Sequence, residues 1–86
     1  MPQKITYFAI VDDEASRENP AGIARRTEDE DGSFVDEGLH IDFAWHRTPI
    51  IVEWKRAEST DDLVEVTAEE AERIIEQFRT RWASAG

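Results

Sequence analysis

Leu63-Val64-Glu65-Val66-Thr67-Ala68-Glu69-Glu70-Ala71-Glu72-Arg73-Ile74-Ile75-Glu76-Gln77-Phe78-Arg79-Thr80-Arg81-Trp82 carries the two signals that set the fold class. The first four residues read as a short strand. Thr67-Ala68-Glu69-Glu70 then reads as a capping box, in which the threonine hydroxyl accepts from the Glu70 amide and the Glu70 carboxylate reaches back. Ala71, Ile74, Ile75, Phe78 and Trp82 follow as one apolar stripe at helical spacing. Glu69, Glu70 and Glu72 precede Arg79 and Arg81, the order that complements the helix dipole. This spacing predicts a helix ending near Ala83, with residues 84–86 frayed.

Towards the N-terminus the pattern changes to that of strands. Ile5-Thr6-Tyr7-Phe8-Ala9-Ile10-Val11 places Ile5, Tyr7, Ala9 and Val11 on one face and Thr6, Phe8 and Ile10 on the other. Both faces are largely apolar, as in a strand inside a sheet. Asp12 to Pro20 reads as a polar loop, and Gly22 to Thr27 as a second strand burying Ile23 and Ala24. Glu28-Asp29-Glu30-Asp31-Gly32 is a turn signal, because Asp-Gly accepts the positive φ a hairpin needs. A third strand starts at Ser33, with Gly38 as a point of bulge or bend. Leu39, Ile41, Phe43 and Trp45 then alternate with His40, Asp42, Ala44 and His46, which predicts a half-buried strand with one wet face. Residues 49–57 allow either element: Pro49 after Thr48 suits a helix start, whereas Ile50-Ile51-Val52 suits a strand. A short helix, with Ile50, Ile51, Trp54 and Ala57 on its apolar stripe, is the preferred reading. Ser59-Thr60-Asp61-Asp62 closes this region as a turn. The whole reads as one α+β domain over 1–86: a small, mostly antiparallel sheet of four or five strands with the C-terminal helix packed on one face.

The chain has 86 residues, 20 acidic against 10 basic side chains, no cysteine and three tryptophans. Its formal charge is −10. Nucleic acid and anionic membranes repel such a surface unless the bases cluster, and here they are scattered among acids. Met1-Pro2-Gln3-Lys4-Ile5 lacks the pattern of a signal peptide, and the apolar run from Tyr7 to Val11 is too short to cross a bilayer. A reduced cytoplasmic setting is the expectation. The lack of cysteine excludes disulfides, thiolate metal sites and cysteine nucleophiles.

His40, Asp42 and His46 share the wet face of the predicted strand. At about 3.3 Å per residue the two imidazoles stand roughly 20 Å apart on a straight strand. They then cannot share an ion whose ligands lie near 2 Å, unless the strand breaks between them. His40 and Asp42 are closer, but a third ligand would have to come from elsewhere. Asp12-Asp13-Glu14 follows an apolar strand, a place where carboxylates hold magnesium beside a phosphate, yet no glycine-rich phosphate loop accompanies it. The run from Glu28 to Gly32 fails as a calcium loop: with Gly32 on the invariant glycine, the first ligand position falls on Thr27 and the bidentate Glu position on Gly38. No serine stands in a nucleophile elbow. Arg25-Arg26 either holds an anion or neutralises the acidic turn beside it, and the second reading needs no ligand. Trp45, Trp54 and Trp82 each fall on the apolar side of their elements, which suits one shared core where the helix covers the sheet. An indole left exposed would instead anchor an interface.

The succession Tyr7-Phe8-Ala9-Ile10-Val11, Pro20-Ala21-Gly22-Ile23-Ala24-Arg25-Arg26, Asp36-Glu37, Trp45 and Leu63 to Ala71 resembles short hypothetical proteins of actinobacteria and their phages. The resemblance spans most of the chain, and its motifs are structural. It implies a stand-alone cytoplasmic domain and brings no activity, cofactor or catalytic residue with it.

These readings converge on a non-catalytic interaction module that needs no cofactor or metal and acts as a homodimer or as an acidic partner or inhibitor of a basic protein. Two alternatives stay open. One is a small metal-dependent hydrolase around His40, Asp42, Asp12 and Asp13. The other is a small-ligand binder built from the tryptophans.

Overall fold

The structure is a computed structural model describing residues 3–12, 19–58 and 62–85, with side chains described as far as Trp82. Asp13, Glu14 and the turn residues Ser59, Thr60 and Asp61 lie outside the described residues, as does Gly86. Five strands, β1 (Lys4–Val11), β2 (Gly22–Glu28), β3 (Phe34–Leu39), β4 (Trp45–Arg47) and β5 (Asp62–Val66), form one sheet in the order β4-β3-β2-β1-β5. Every neighbouring pair is antiparallel. Helix α1 (Ile50–Lys55) precedes β5, and α2 (Ala68–Ala85) follows it.

The two apolar faces of β1 explain the layering. Ala9, with Ile23 and Val66, packs against Ala71, Ile74 and Phe78 of α2. Phe8 faces the other way and packs with Ala24, Leu63 and Ile51 of α1. The sheet is therefore covered on both sides. The covering helix expected from the sequence is α2, and the short helix at 50–55 closes the opposite face. The tryptophans consequently share no common core: Trp45 and Trp82 border the α2 cluster, and Trp54 borders the α1 cluster.

Both helices show their local causes. Thr67 Oγ1 accepts from the Glu70 amide at 3.1 Å, the forward half of the predicted box. Helix α2 runs to Ala85, past the end expected near Ala83, and so its last turn carries no base. Arg79 and Arg81 lie short of that turn and stack on rings, with the Arg79 guanidinium 5.0 Å from Phe43 and that of Arg81 5.4 Å from Phe78. Helix α1 begins one residue after Pro49, and Thr48 Oγ1 accepts from the Ile50 amide at 3.3 Å. Ala57 does not extend the stripe. It adopts φ 60°, and the bonds Glu58 N–H to Glu53 O and Ala57 N–H to Trp54 O close a Schellman motif around it.

The strand predicted over 39–46 is in fact a hairpin. Phe43 N–H donates to His40 O and His40 N–H to Ala44 O, so the chain reverses at Ile41-Asp42-Phe43. Residues 29–33 make the same two bonds, Gly32 N–H to Asp29 O and Asp29 N–H to Ser33 O. Each is a three-residue loop whose last position needs positive φ. Gly32 fills that position at φ 90° without steric cost, whereas Phe43 fills its equivalent at φ 60°. The Phe43 ring packs 5.0 Å from that of Trp82, which holds the unfavourable backbone in place. Because Leu39 pairs with Trp45 across the hairpin, both still face α2 as the alternation suggested, but Ile41 at the tip is 69% exposed. Gly38 marks no bulge, since it pairs regularly with Ala24 on one side and His46 on the other.

Candidate functional site

The hairpin brings together what a straight strand would keep apart. His40 and His46 have ring centroids 4.3 Å apart. Asp42 lies between their positions in sequence and serves both turn and ring: Oδ1 accepts from the Ala44 amide at 2.9 Å, and Oδ2 lies 3.0 Å from His46 Nε2. The Ala44 amide bond, followed by the His46 contact, holds the Asp42 carboxyl below its ordinary pKa. In the tautomer that protonates Nε2, His46 donates to this carboxylate, which orients the ring. Chemically this is an imidazole steered by a carboxylate, with a second imidazole alongside. Half of it is open to water, with side-chain exposures of 48% for His46 and 56% for Asp42.

Of the other members of the predicted constellation, Asp13 lies outside the described residues and Asp12 stands at the end of another strand. Asp12 follows β1 and His40 follows β3; β2 runs between them, so two strand spacings, about 10 Å, separate the ends. Among the described residues no group of three or more histidine, aspartate or glutamate side chains is arranged to hold a metal ion.

Sequence reasoning placed the wrong partners on the arginine pair. Arg25 and Arg26 bond across to β3, and from the acidic turn Glu28 acts on Arg26 through its field. The register sets Arg26 opposite Asp36 and Arg25 opposite Glu37 on alternate faces of the sheet. Arg26 grips Asp36 with both ends of its fork, Nε to Oδ1 at 2.7 Å and Nη2 to Oδ2 at 2.9 Å. Among the described residues Asp36 is the buried charged side chain. Its bond raises the Arg26 pKa, with Glu28 adding a weaker field. Arg25 bonds Glu37 at 3.0 Å and lies 4.1 Å from the Trp45 ring centre, while Arg26 lies 4.0 Å from that of Phe34. The alternation of Arg25-Arg26 against Asp36-Glu37, read as facing strands, is the sequence signal for this arrangement.

The same topology separates the charges. The hairpin of residues 28–31 and the first turns of α2, with Glu69, Glu70 and Glu72, lie at the end of the sheet where β1 begins, since Lys4 pairs with Glu28 and Val66 pairs with Tyr7. Residues 28–31 and 69–72 contain no lysine or arginine, and Lys4 opposite Glu28 and Arg73 after Glu72 are the bases beside them. Ser33 donates to Asp31 through both hydroxyl and amide, which lowers the Asp31 pKa and keeps the hairpin tip anionic. Arg79 and Arg81 belong to the far half of α2, where Arg79 pairs with Glu76 and Arg81 with Asn19.

Among the described residues no helix is long and apolar enough to cross a membrane. No family model, curated protein or solved structure matches the chain.

Proposed function

We propose that this chain is a non-catalytic binding module whose acidic end docks on a basic protein surface. The observation that carries the reading is the use of the bases. Arg25, Arg26, Arg79 and Arg81 are each engaged by an oxygen partner and a ring within the fold. Seven of the 20 acids, Glu28, Asp29, Glu30, Asp31, Glu69, Glu70 and Glu72, stand at the end formed by residues 28–31 and 69–72, against Lys4 and Arg73 as the bases beside them. A single-sign field of this kind speeds encounter with a positive surface and weakens with salt. The half-buried Trp45, Trp54 and Trp82 lie away from that end. Trp54 stands beside Asp62, opposite Val11, and Trp82 beside Phe43 of the 40–44 hairpin, so the acidic end docks by charge without them. Homodimerisation through that end would set like charges against each other, so a basic partner is the better fit.

The competing reading, a metal-dependent hydrolase around His40, Asp42, Asp12 and Asp13, is favoured by the approach of His40 and His46 alone, and no metal-holding group of three is found among the described residues. A ligand pocket shared by the three tryptophans is disfavoured because they stand on opposite faces of the sheet. The test is capture of partners from host lysate at low and high salt, with wild type beside Glu30→Lys/Glu72→Lys. The expected result is a basic protein retained at low salt, released at high salt and lost in the variant. Retention that ignores both salt and charge reversal would count against the proposal.

A further inference from the structure

A straight strand would keep His40 and His46 from sharing an ion, and the reversal at residues 41–43 removes that obstacle. Register sets His46 opposite Gly38, and the bond from His40 N–H to Ala44 O sets His40 opposite Ala44. The two histidines are therefore diagonal neighbours on one face of the hairpin. Their ring centroids stand 4.3 Å apart with the planes inclined at 48°. A ring nitrogen lies about 1 Å from its centroid, so nitrogens of this pair come within about 3 Å of each other, as do two ligands each about 2 Å from one ion. Both side chains are exposed, and exposed rings turn quickly enough to aim those nitrogens.

Asp42 supports the pair from outside. Its Oδ2 lies 3.0 Å from His46 Nε2. Where Nε2 carries the proton and donates to that carboxylate, the lone pair of His46 sits on Nδ1. Metal-binding histidines take this form, one ring nitrogen held by a carboxylate and the other bare for the ion. The carboxylate is itself fixed, because Oδ1 accepts from the Ala44 amide at 2.9 Å. The reversal that assembles these groups holds Phe43 at φ 60°, and strained backbone collects at functional sites.

We propose that His40 and His46 form a two-imidazole site for a divalent transition ion of the zinc, nickel or copper class, with Asp42 as the positioning residue of His46. Imidazole nitrogen selects these ions, whereas magnesium and calcium take oxygen ligands. Water fills the remaining positions, so the site stands without the third protein ligand that the described residues do not supply. The inference assigns binding and no reaction, and it needs neither the acidic end nor a basic partner.

Zn2+ is the probe. Calorimetry on the full chain should give one ion per chain. In proton–nitrogen correlation spectra of the imidazoles, Zn2+ should move a nitrogen of both rings together, Nδ1 on His46, while His46 Nε2 keeps its proton. His40→Ala and His46→Ala should each weaken binding at least about tenfold, because a second ligand on the same hairpin acts at high effective concentration. The double variant should lose little beyond either single one, as befits two ligands of one ion. A response in one ring alone or in neither, coordination through His46 Nε2, or an affinity that survives the loss of either histidine would overturn the proposal. The ring spectra are read on wild type, so they decide the matter even where a variant fails to fold.

Discussion

Replacing Phe43 separates two opposing contributions in the 40–44 hairpin. Its backbone sits at φ 60°, a region where a residue with a Cβ costs about 1–2 kcal/mol relative to the right-handed regions. Its ring contacts Trp82 and lies under Arg79, contacts that oppose that cost. Phe43→Ala keeps the backbone penalty and loses the ring. Because the ring is half-buried, the loss should be about 2–3 kcal/mol, below the range for a fully buried phenylalanine. Phe43→Gly loses the same ring but also removes the penalty, offset by about 0.5–1 kcal/mol of extra chain entropy in the unfolded state. At the middle of these ranges the glycine variant should therefore be more stable than the alanine variant by about 0.75 kcal/mol, the reverse of the usual order. For a domain of this size that is a melting difference of roughly 3–6 °C. Urea denaturation of the three proteins reads the difference directly, given unchanged slopes. If alanine is as stable as glycine at position 43, the left-handed backbone is not under strain and the account of this turn is wrong.

Two other expectations follow from the polar contacts. Asp36→Ala leaves the Arg26 guanidinium without its forked partner while its side chain is only 13% exposed, so stability should drop by about 3 kcal/mol. The double replacement Arg26→Leu/Asp36→Leu should recover most of that loss, and a recovery below about 1 kcal/mol in thermal or urea unfolding would show that the pair is not the source. Asp42 has a folded pKa below its unfolded value, so its contribution is fully present above about pH 4 and is lost as pH falls through the lower folded value. The Ala44 amide resonance should move with that titration in wild type and stay still in Asp42→Asn.

Much of the architecture was legible because the deciding residues act locally. The two-faced apolar pattern of 5–11 requires a covered strand, and Thr67 with the stripe to Trp82 requires a capped amphipathic helix. The 39–46 hairpin was hidden because its one diagnostic position holds phenylalanine where the sister turn holds Gly32. No turn-forming pair announces the reversal at Ile41-Asp42-Phe43, and the alternation survives it because Leu39 and Trp45 end up opposite each other. The His40–His46 contact was missed for the same reason. The partners of Arg25 and Arg26 depend on register between strands, which local pattern does not encode.

The position of β1 has a further consequence for how the chain acquires its shape. Its neighbour on one side, β2, is close in sequence, but Tyr7 must wait for Val66 on the other. During vectorial synthesis the hairpins of β2, β3 and β4 can assemble early, leaving β1 with a naked flank until β5 and α2 have emerged from the ribosome. Closure is thus a late, long-range event, of the kind that slows folding and leaves apolar strands open to misassociation in the interval.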